Sequence, residues 1–282
     1  MEPFQASSSS LPSLFLIPAW KQVDSRLTAG FTGRQGGVSR EPWNSNNMGL
    51  HVGDQADDVI RNRKLLAHSI GWSFEAWTCA EQVHGCEVRK VTREERGKGR
   101  TLHADAIQGA DAIMTNERGV LLASYYADCV PLYFYDGENG AVALAHAGWR
   151  GTVASIASET VQAMREAYGT KPQSIRAAIG PSIGSCCYEV DGPVISAADA
   201  VMRELGFRHE TAESCLDRLI GEKANINLKE LNRQIMIKAG ILPSHIEISK
   251  WCTSCRRDLF FSHRADGGRT GRMVSWIGLS ER

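Results

Sequence analysis

The segment AVALAHAG, residues 141–148, carries no polar side chain before His146. Successive side chains of a strand point to opposite faces, so a strand with one wet face alternates apolar and polar residues. This run does not alternate. As a strand it has to be covered on both faces, which requires further layers of structure above and below it. The preceding stretch VLLASYYADCVPLYFYD, residues 120–136, also looks like strand, with a break near Asp128 and Cys129 where Pro131 is expected to end the local pairing. ADAIMTN, SIRAAIG, HIEIS, LFFSHRA and MVSWIGL supply further strand candidates.

Helical periodicity appears between them. Residues 54–71 open with an acidic first turn and close at Gly71, as a helix macrodipole and a glycine stop favour. Residues 152–169 place Val153, Ile156, Thr160 and Met164 on one face, with Thr152 available as a cap. Asp191 precedes a helical stretch to about Leu205, and residues 225–240 read as a helix ending at Gly240. Strands and helices alternate with no repeat and no clear break. The expected fold is a single α/β domain over residues 14–282, a layered sandwich with a large mixed sheet flanked by helices. Residues 1–13, with their run of four serines, are expected to form a disordered tail.

Composition excludes several classes. Hydrophobic residues make up 43% of the 282, enough for a sizeable core. Lys plus Arg equals Asp plus Glu at 32 each, so no net charge draws the chain to nucleic acid or to an anionic membrane. No window of ~20 apolar residues offers a membrane span, and Glu2 and Pro18 spoil a signal peptide. A cytoplasmic protein is the expectation. Eight cysteines without regular spacing do not suggest a disulfide scaffold.

Candidate chemistry gathers at strand ends. Cys129 follows Asp128 at a strand break, with Pro131 just beyond, and free cysteines are otherwise common in cores. His146 ends its strand and is followed by AGWRGT, where two glycines and Arg150 precede a helix. That arrangement is a plausible anion site. His84 lies before Gly85 in a turn. Two histidines and a cysteine could hold zinc with one open position, an arrangement that lowers the pKa of a bound water. The spacings alone do not establish a metal. Arg34 sits among glycines in FTGRQGGVS, and His51 and His263 are weaker candidates. Cys252 and Cys255 form one C-x-x-C pair, read as two unpaired structural cysteines; Cys186 and Cys187 read as packing residues beside Tyr188. A multicopper centre needs about ten histidines in H-x-H pairs, whereas eight are scattered singly.

Nine blocks occur in order: FTGRQGGVS, NNMGLHVGD, EQVHG, ADCVPLYFYD, AHAGWRGTV, AIGPSIGSCCYEV, INLKELNRQ, WCT and FFSHRADGGRTGR. Together they resemble the laccase-domain family, first labelled multicopper polyphenol oxidoreductases and described as zinc-containing purine nucleoside phosphorylases. The family also includes the peptidoglycan-editing factor. The resemblance runs from about Phe31 to Leu279. It implies an α/β sandwich and a zinc ion held by His84, Cys129 and His146, which would also be the catalytic residues. It further implies that Arg34, Asn47 and Arg150 line the pocket for nucleoside and phosphate. The implied reaction converts adenosine, inosine, guanosine or methylthioadenosine and phosphate to base and sugar 1-phosphate, with adenosine deamination as a side activity. Copper binding is not expected to be functional. Two alternatives stay open: a peptidoglycan-editing hydrolase with Cys129 as nucleophile, and a non-enzymatic module with zinc as a structural clip, for which Cys86 is the one nearby fourth ligand. The oligomeric state, the preferred nucleoside and the general acid are not specified.

Overall fold

A computed structural model describes residues 1–7, 12–219 and 221–281. In chain order its strands are β1 (Gln5–Ala6), β2 (Leu14–Leu16), β3 (Leu27–Thr32), β4 (Trp77–Cys79), β5 (Val88–Lys90), β6 (Ala112–Thr115), β7 (Leu121–Tyr126), β8 (Val130–Asp136), β9 (Ala141–Ala147), β10 (Arg176–Ile179), β11 (Glu189–Val190), β12 (Leu216–Arg218), β13 (Ala224–Ile226), β14 (Ile246–Ile248) and β15 (Met273–Leu279). The helices are α1 (Pro18–Val23), α2 (Ala56–Ser69), α3 (Trp149–Val153), α4 (Ile156–Tyr168), α5 (Gly192–Glu204), α6 (His209–Cys215) and α7 (Leu228–Lys238).

The expected large sheet is two six-stranded mixed sheets. One runs β1-β2-β3-β15-β7-β4 and the other β14-β10-β8-β9-β6-β5, with a small third sheet β11-β13-β12. The two large sheets face each other across a core that includes Phe31, Leu122 and Ile277 from one and Ile113, Tyr133 and Leu144 from the other. Helices α4, α5 and α7 cover the outer face of the second sheet over Leu132, Phe134, Ala143 and Ala145. Leu66 of α2 packs outside the first sheet against Trp77 and Trp276. This layering explains the unbroken apolar run of β9. Ala143 and Ala145 face the helices, Val142 and Leu144 face the opposing sheet, and all four are buried.

The same alternation positions the candidate site. His146 shares the parity of Val142 and Leu144 and therefore points between the sheets. Pro131 pairs with His146 in register, so Cys129, two residues back, lies on that same side, where it packs against the inter-sheet core. Pro131 does not end the pairing as its position suggested; it lies inside β8. The break is at Asp128, whose φ of 86° is left-handed.

Three further expectations are corrected. The N-terminal segment is not a frayed tail: β1 pairs antiparallel with β2, and Phe4 is fully buried with its ring 5.5 Å from that of Tyr133. One aromatic side chain with a place in the inter-sheet core suffices to hold so short a strand. Residues 8–11, the rest of the serine run, lie outside the described residues. The helix expected over residues 152–169 is two helices, α3 and α4, divided at Ser155, whose φ is 59°. Thr152 is not the cap; it is buried inside α3, where its hydroxyl accepts a 2.9 Å hydrogen bond from Asn232 of α7. LFFSHRA is not a strand: Phe260 and Phe261 plug the core, while the following backbone is captured by Asp128.

The Phe4 contact makes a stability prediction. Phe4→Ala should lower the free energy of unfolding by about 3–5 kcal/mol, read from urea midpoints at unchanged slope. An unchanged midpoint would mean that the N-terminal strand contributes nothing to the core.

Candidate functional site

The structure brings His84, Cys129 and His146 together, with one ligand atom from each within 4.8 Å of the others. They arrive from three directions. His146 ends β9, Cys129 precedes β8, and His84 sits in a turn between β4 and β5, strands of different sheets. The two imidazole rings stand nearly perpendicular with centroids 4.8 Å apart. Gly148 admits this packing, because a Cβ there would lie 3.1 Å from the Cys129 sulfur and 3.3 Å from His84 Cδ2. A Cβ at Gly151 would lie 3.0 Å from the Gly85 carbonyl oxygen, so this glycine lets α3 approach the His84 turn.

The organising group is a residue that the sequence did not single out. Asp111 is fully buried. Its carboxylate accepts hydrogen bonds from three successive backbone N–H groups, Val83 at 3.1 Å, His84 at 2.9 Å and Gly85 at 2.7 Å. It also contacts His146 Nδ1 at 3.0 Å. That contact directs the other ring nitrogen of His146 towards Cys129 and His84, the arrangement by which carboxylates orient metal-binding histidines. Burial works against ionisation of Asp111, but the His146 and backbone hydrogen bonds outweigh it and hold its carboxyl below the usual range.

Electrostatics at the cluster favour a thiolate. Burial alone would raise the Cys129 thiol, but His146 and His84 bring it down to about 6. Burial alone would lower His146, but the Cys129 charge and the Asp111 hydrogen bond raise it to about 9. Without a metal the two groups form a thiolate–imidazolium pair. A thiolate and two imidazoles suit zinc, so the donor set fits the implied ion. Cys86 is not brought into the cluster; it packs against the helix-covered core. Three protein donors and no fourth among the described residues leave the remaining side to the pocket.

That pocket, of about 500 Å³, is lined by the three residues together with His51, Gln82, His103, Tyr125, Trp149, Tyr188 and His263. Arg150, Arg264 and Arg272 reach it as well. Two of the residues expected in the lining do not reach it. Arg34 hydrogen-bonds the carbonyls of Asn44 and Arg257 and lies over the Phe261 ring at 4.7 Å; it ties two loops together. Asn47 is fully buried, with its amide engaged by Gly49, Asp54 and the backbone N–H of Arg272 at 2.8 Å. It places Arg272 and does not present itself. The anion site expected at a helix start is also altered, because α3 begins at Trp149 and has five residues, too few to align much of a dipole. Arg150 remains as its cation.

Sequence reasoning passed over Asp111, Gln82, Arg264 and Arg272. Gln82 has φ 66° and exchanges two hydrogen bonds with the Tyr125 backbone, at 2.8 and 2.9 Å, fixing the His84 turn to β7. The signal for Asp111 was a charged residue at the head of the apolar strand ADAIMTN, which requires a partner. Reading Cys252 and Cys255 as isolated also needs correction. They meet Cys186 and Cys187 in a second cluster whose sulfurs all lie within 4.8 Å of one another.

Two imidazoles and a thiolate with a buried orienting carboxylate, set in a sandwich of two mixed sheets, define a class. A family model described as multi-copper polyphenol oxidoreductase laccase matches residues 28–280, and the chain belongs to that family. The Bacillus subtilis protein named purine nucleoside phosphorylase YlmD is 40% identical over the whole of both chains. The Geobacillus stearothermophilus protein of the same name is 46% identical over 90% of each. The crystal structure of the latter aligns over the full length of both chains with a TM-score of 0.92 and 42% identity. Among the described residues no helix is long and apolar enough to cross a membrane.

The Asp111 geometry predicts a metal phenotype. Asp111→Asn should lower zinc affinity by about 10- to 100-fold, measured by competition with a chromophoric chelator. Full affinity in the variant would show that the carboxylate does not orient His146.

Proposed function

We propose that this protein is a zinc-dependent purine nucleoside phosphorylase, acting on adenosine, inosine, guanosine or methylthioadenosine with phosphate, and deaminating adenosine as a side activity. The carrying observation is the His84, Cys129 and His146 cluster open to a pocket with three arginines. Relatives bearing the phosphorylase name support the reaction class. The pocket volume falls in the range of small-ligand sites. Zinc held by the three residues would supply Lewis acidity towards an oxygen.

The chain's own groups have distinct tasks in this reading. Arg150, Arg264 and Arg272 offer guanidinium donors for a phosphate dianion, which has to be held against the anomeric carbon of the sugar. Tyr188 and Trp149 supply the apolar walls a purine requires. Asp111 and Gln82 hold the His84 turn and the His146 ring in one orientation before substrate arrives.

A second reading draws on one observation. Cys129, His146 and Asp111 stand in the order nucleophile, base and orienting carboxylate, the arrangement of a cysteine hydrolase. A peptidoglycan-editing activity would use it without metal.

Zinc content and adenosine turnover with and without phosphate separate the two. Phosphorolysis predicts stoichiometric zinc, and adenine with ribose 1-phosphate formed only when phosphate is present. Cys129→Ala should abolish the phosphorolysis and lose the zinc ion held by this cluster. Arg150→Ala should keep the zinc and raise the KM for phosphate by about tenfold, equivalent to about 1.4 kcal/mol. Metal-free protein with no nucleoside turnover would move the assignment to the hydrolase.

A further inference from the structure

We infer that Cys186, Cys187, Cys252 and Cys255 form a second metal site, a structural tetrathiolate centre for zinc that staples one wall of the pocket to the loop behind it. The inference rests on the juxtaposition of four cysteines from two loops remote in sequence and does not depend on the function proposed above.

The four sulfurs all lie within 4.8 Å of one another. Cys255 is 3.5 Å from Cys186 and 3.4 Å from Cys187. Tetrahedral zinc with Zn–S bonds of about 2.3 Å separates its sulfurs by about 3.8 Å, so little movement is required. A disulfide would engage two of the four and leave the other two thiols packed against it. All four are present as free cysteines.

Both loops are built as tight turns around the cluster. In the first, the Cys187 N–H donates to the Gly184 carbonyl at 3.0 Å. In the second, the Arg256 N–H donates to the Cys252 carbonyl at 3.0 Å. The loops are joined directly: the Thr253 N–H donates to the Ser182 carbonyl at 3.1 Å, and the Gly184 N–H donates to the Cys252 sulfur at 3.2 Å. Backbone N–H groups aimed at sulfur stabilise thiolates. Gly184 is required there, since a Cβ would lie 3.2 Å from the Cys186 sulfur and 3.5 Å from that of Cys252.

Charge is also matched. Four thiolates on a divalent ion leave a net negative centre, and such a centre needs cations nearby. The Lys229 ammonium is almost fully buried beneath the second loop, donating to the carbonyls of Ser249 and Trp251 at 2.9 Å each.

The site's position gives it a task. Ile183 and Tyr188 of the first loop line the pocket. Both loops reach Asp128, next to Cys129: the Ile183 N–H donates to its carbonyl at 2.9 Å and the Thr253 hydroxyl to its carboxylate at 2.6 Å. The tetrathiolate centre therefore fixes the part of the wall that Ile183 and Tyr188 form.

Metal content of the full chain tests this. After gel filtration and dialysis, wild type should carry two zinc ions per chain. Cys255→Ser, a change at an exposed position, should carry one, and so should Cys129→Ala. Cobalt-reconstituted Cys129→Ala should show the strong thiolate charge-transfer absorption of a four-sulfur site, and Cys255→Ser should lose it. Native alkylation of wild type provides an independent reading if a variant fails to fold. Cys186 and Cys255, both exposed, should resist iodoacetamide until a chelator is added. One zinc per wild-type chain, retained in Cys255→Ser and lost in Cys129→Ala, would overturn the inference. So would free alkylation of the four cysteines, or a disulfide among them, in freshly purified protein.

Discussion

Asp111 sits at the point where the two sheets, the His84 turn and the end of β9 converge. A buried carboxylate without partners is costly by several kcal/mol. This one is surrounded by three backbone donors and one imidazole. Its backbone takes part too, since its carbonyl accepts the His146 N–H at 2.8 Å. The consequence is mutual. The turn at residues 82–85 adopts left-handed conformations at Gln82 and His84, which non-glycine residues avoid at a cost of roughly 1–3 kcal/mol. The carboxylate offsets that cost by collecting three of the turn's four N–H groups, in the manner of an anion nest. In return the turn presents His84 at the one place where it can meet Cys129 and His146.

Much of the architecture was legible because it follows from local pattern. The unbroken apolar run of residues 141–148 marked β9 as a strand covered on both faces, and α2 and α5 keep close to their expected bounds, whereas the helix expected over residues 225–240 starts only at Leu228 because Ala224–Ile226 pair in β13. What local pattern cannot carry is contact between distant segments. Phe4 looked like the start of a loose tail because its pocket is made by Tyr133 and neighbours more than a hundred residues away. LFFSHRA has the composition of a strand, yet its backbone donors go elsewhere, Phe260 to the Arg256 carbonyl, Ser262 to Asp266 and Arg264 to Asp128, so local turns and tertiary capture overrode propensity. The break at Ser155 left no mark in the periodicity, since Ile156, Thr160 and Met164 are buried on one face as the spacing required.

The candidate site divides the same way. His84, Cys129 and His146 could be assembled only through a family resemblance, because spacings of tens of residues have no geometric content by themselves. Parity within β8 and β9 could have placed Cys129 and His146 on one side of the sheet once the register was known. Arg34 and Asn47 show the opposite error. Both stand in glycine-rich blocks beside the pocket, and both serve it indirectly, one by tying loops and the other by seating Arg272. A residue type suited to a ligand was in fact satisfied by backbone.

The place of β15 bears on how the chain is made. This strand, Met273–Leu279, lies between β3 and β7 in the middle of its sheet, pairing Ser275 with Phe31 on one side and with Ser124 on the other. Neither neighbour has its central partner until β15 is made. Nascent chains therefore carry two unpaired strand edges, β3 and β7, until that strand follows. Edges of that kind invite intermolecular pairing, and the long sequence separation slows their proper closure. The second sheet has no such dependence on the final strand, since β5 through β14 are all made earlier. Synthesis from the N-terminus thus favours the helix-covered half as the first to consolidate, with the β15 half closing over it once that strand is available.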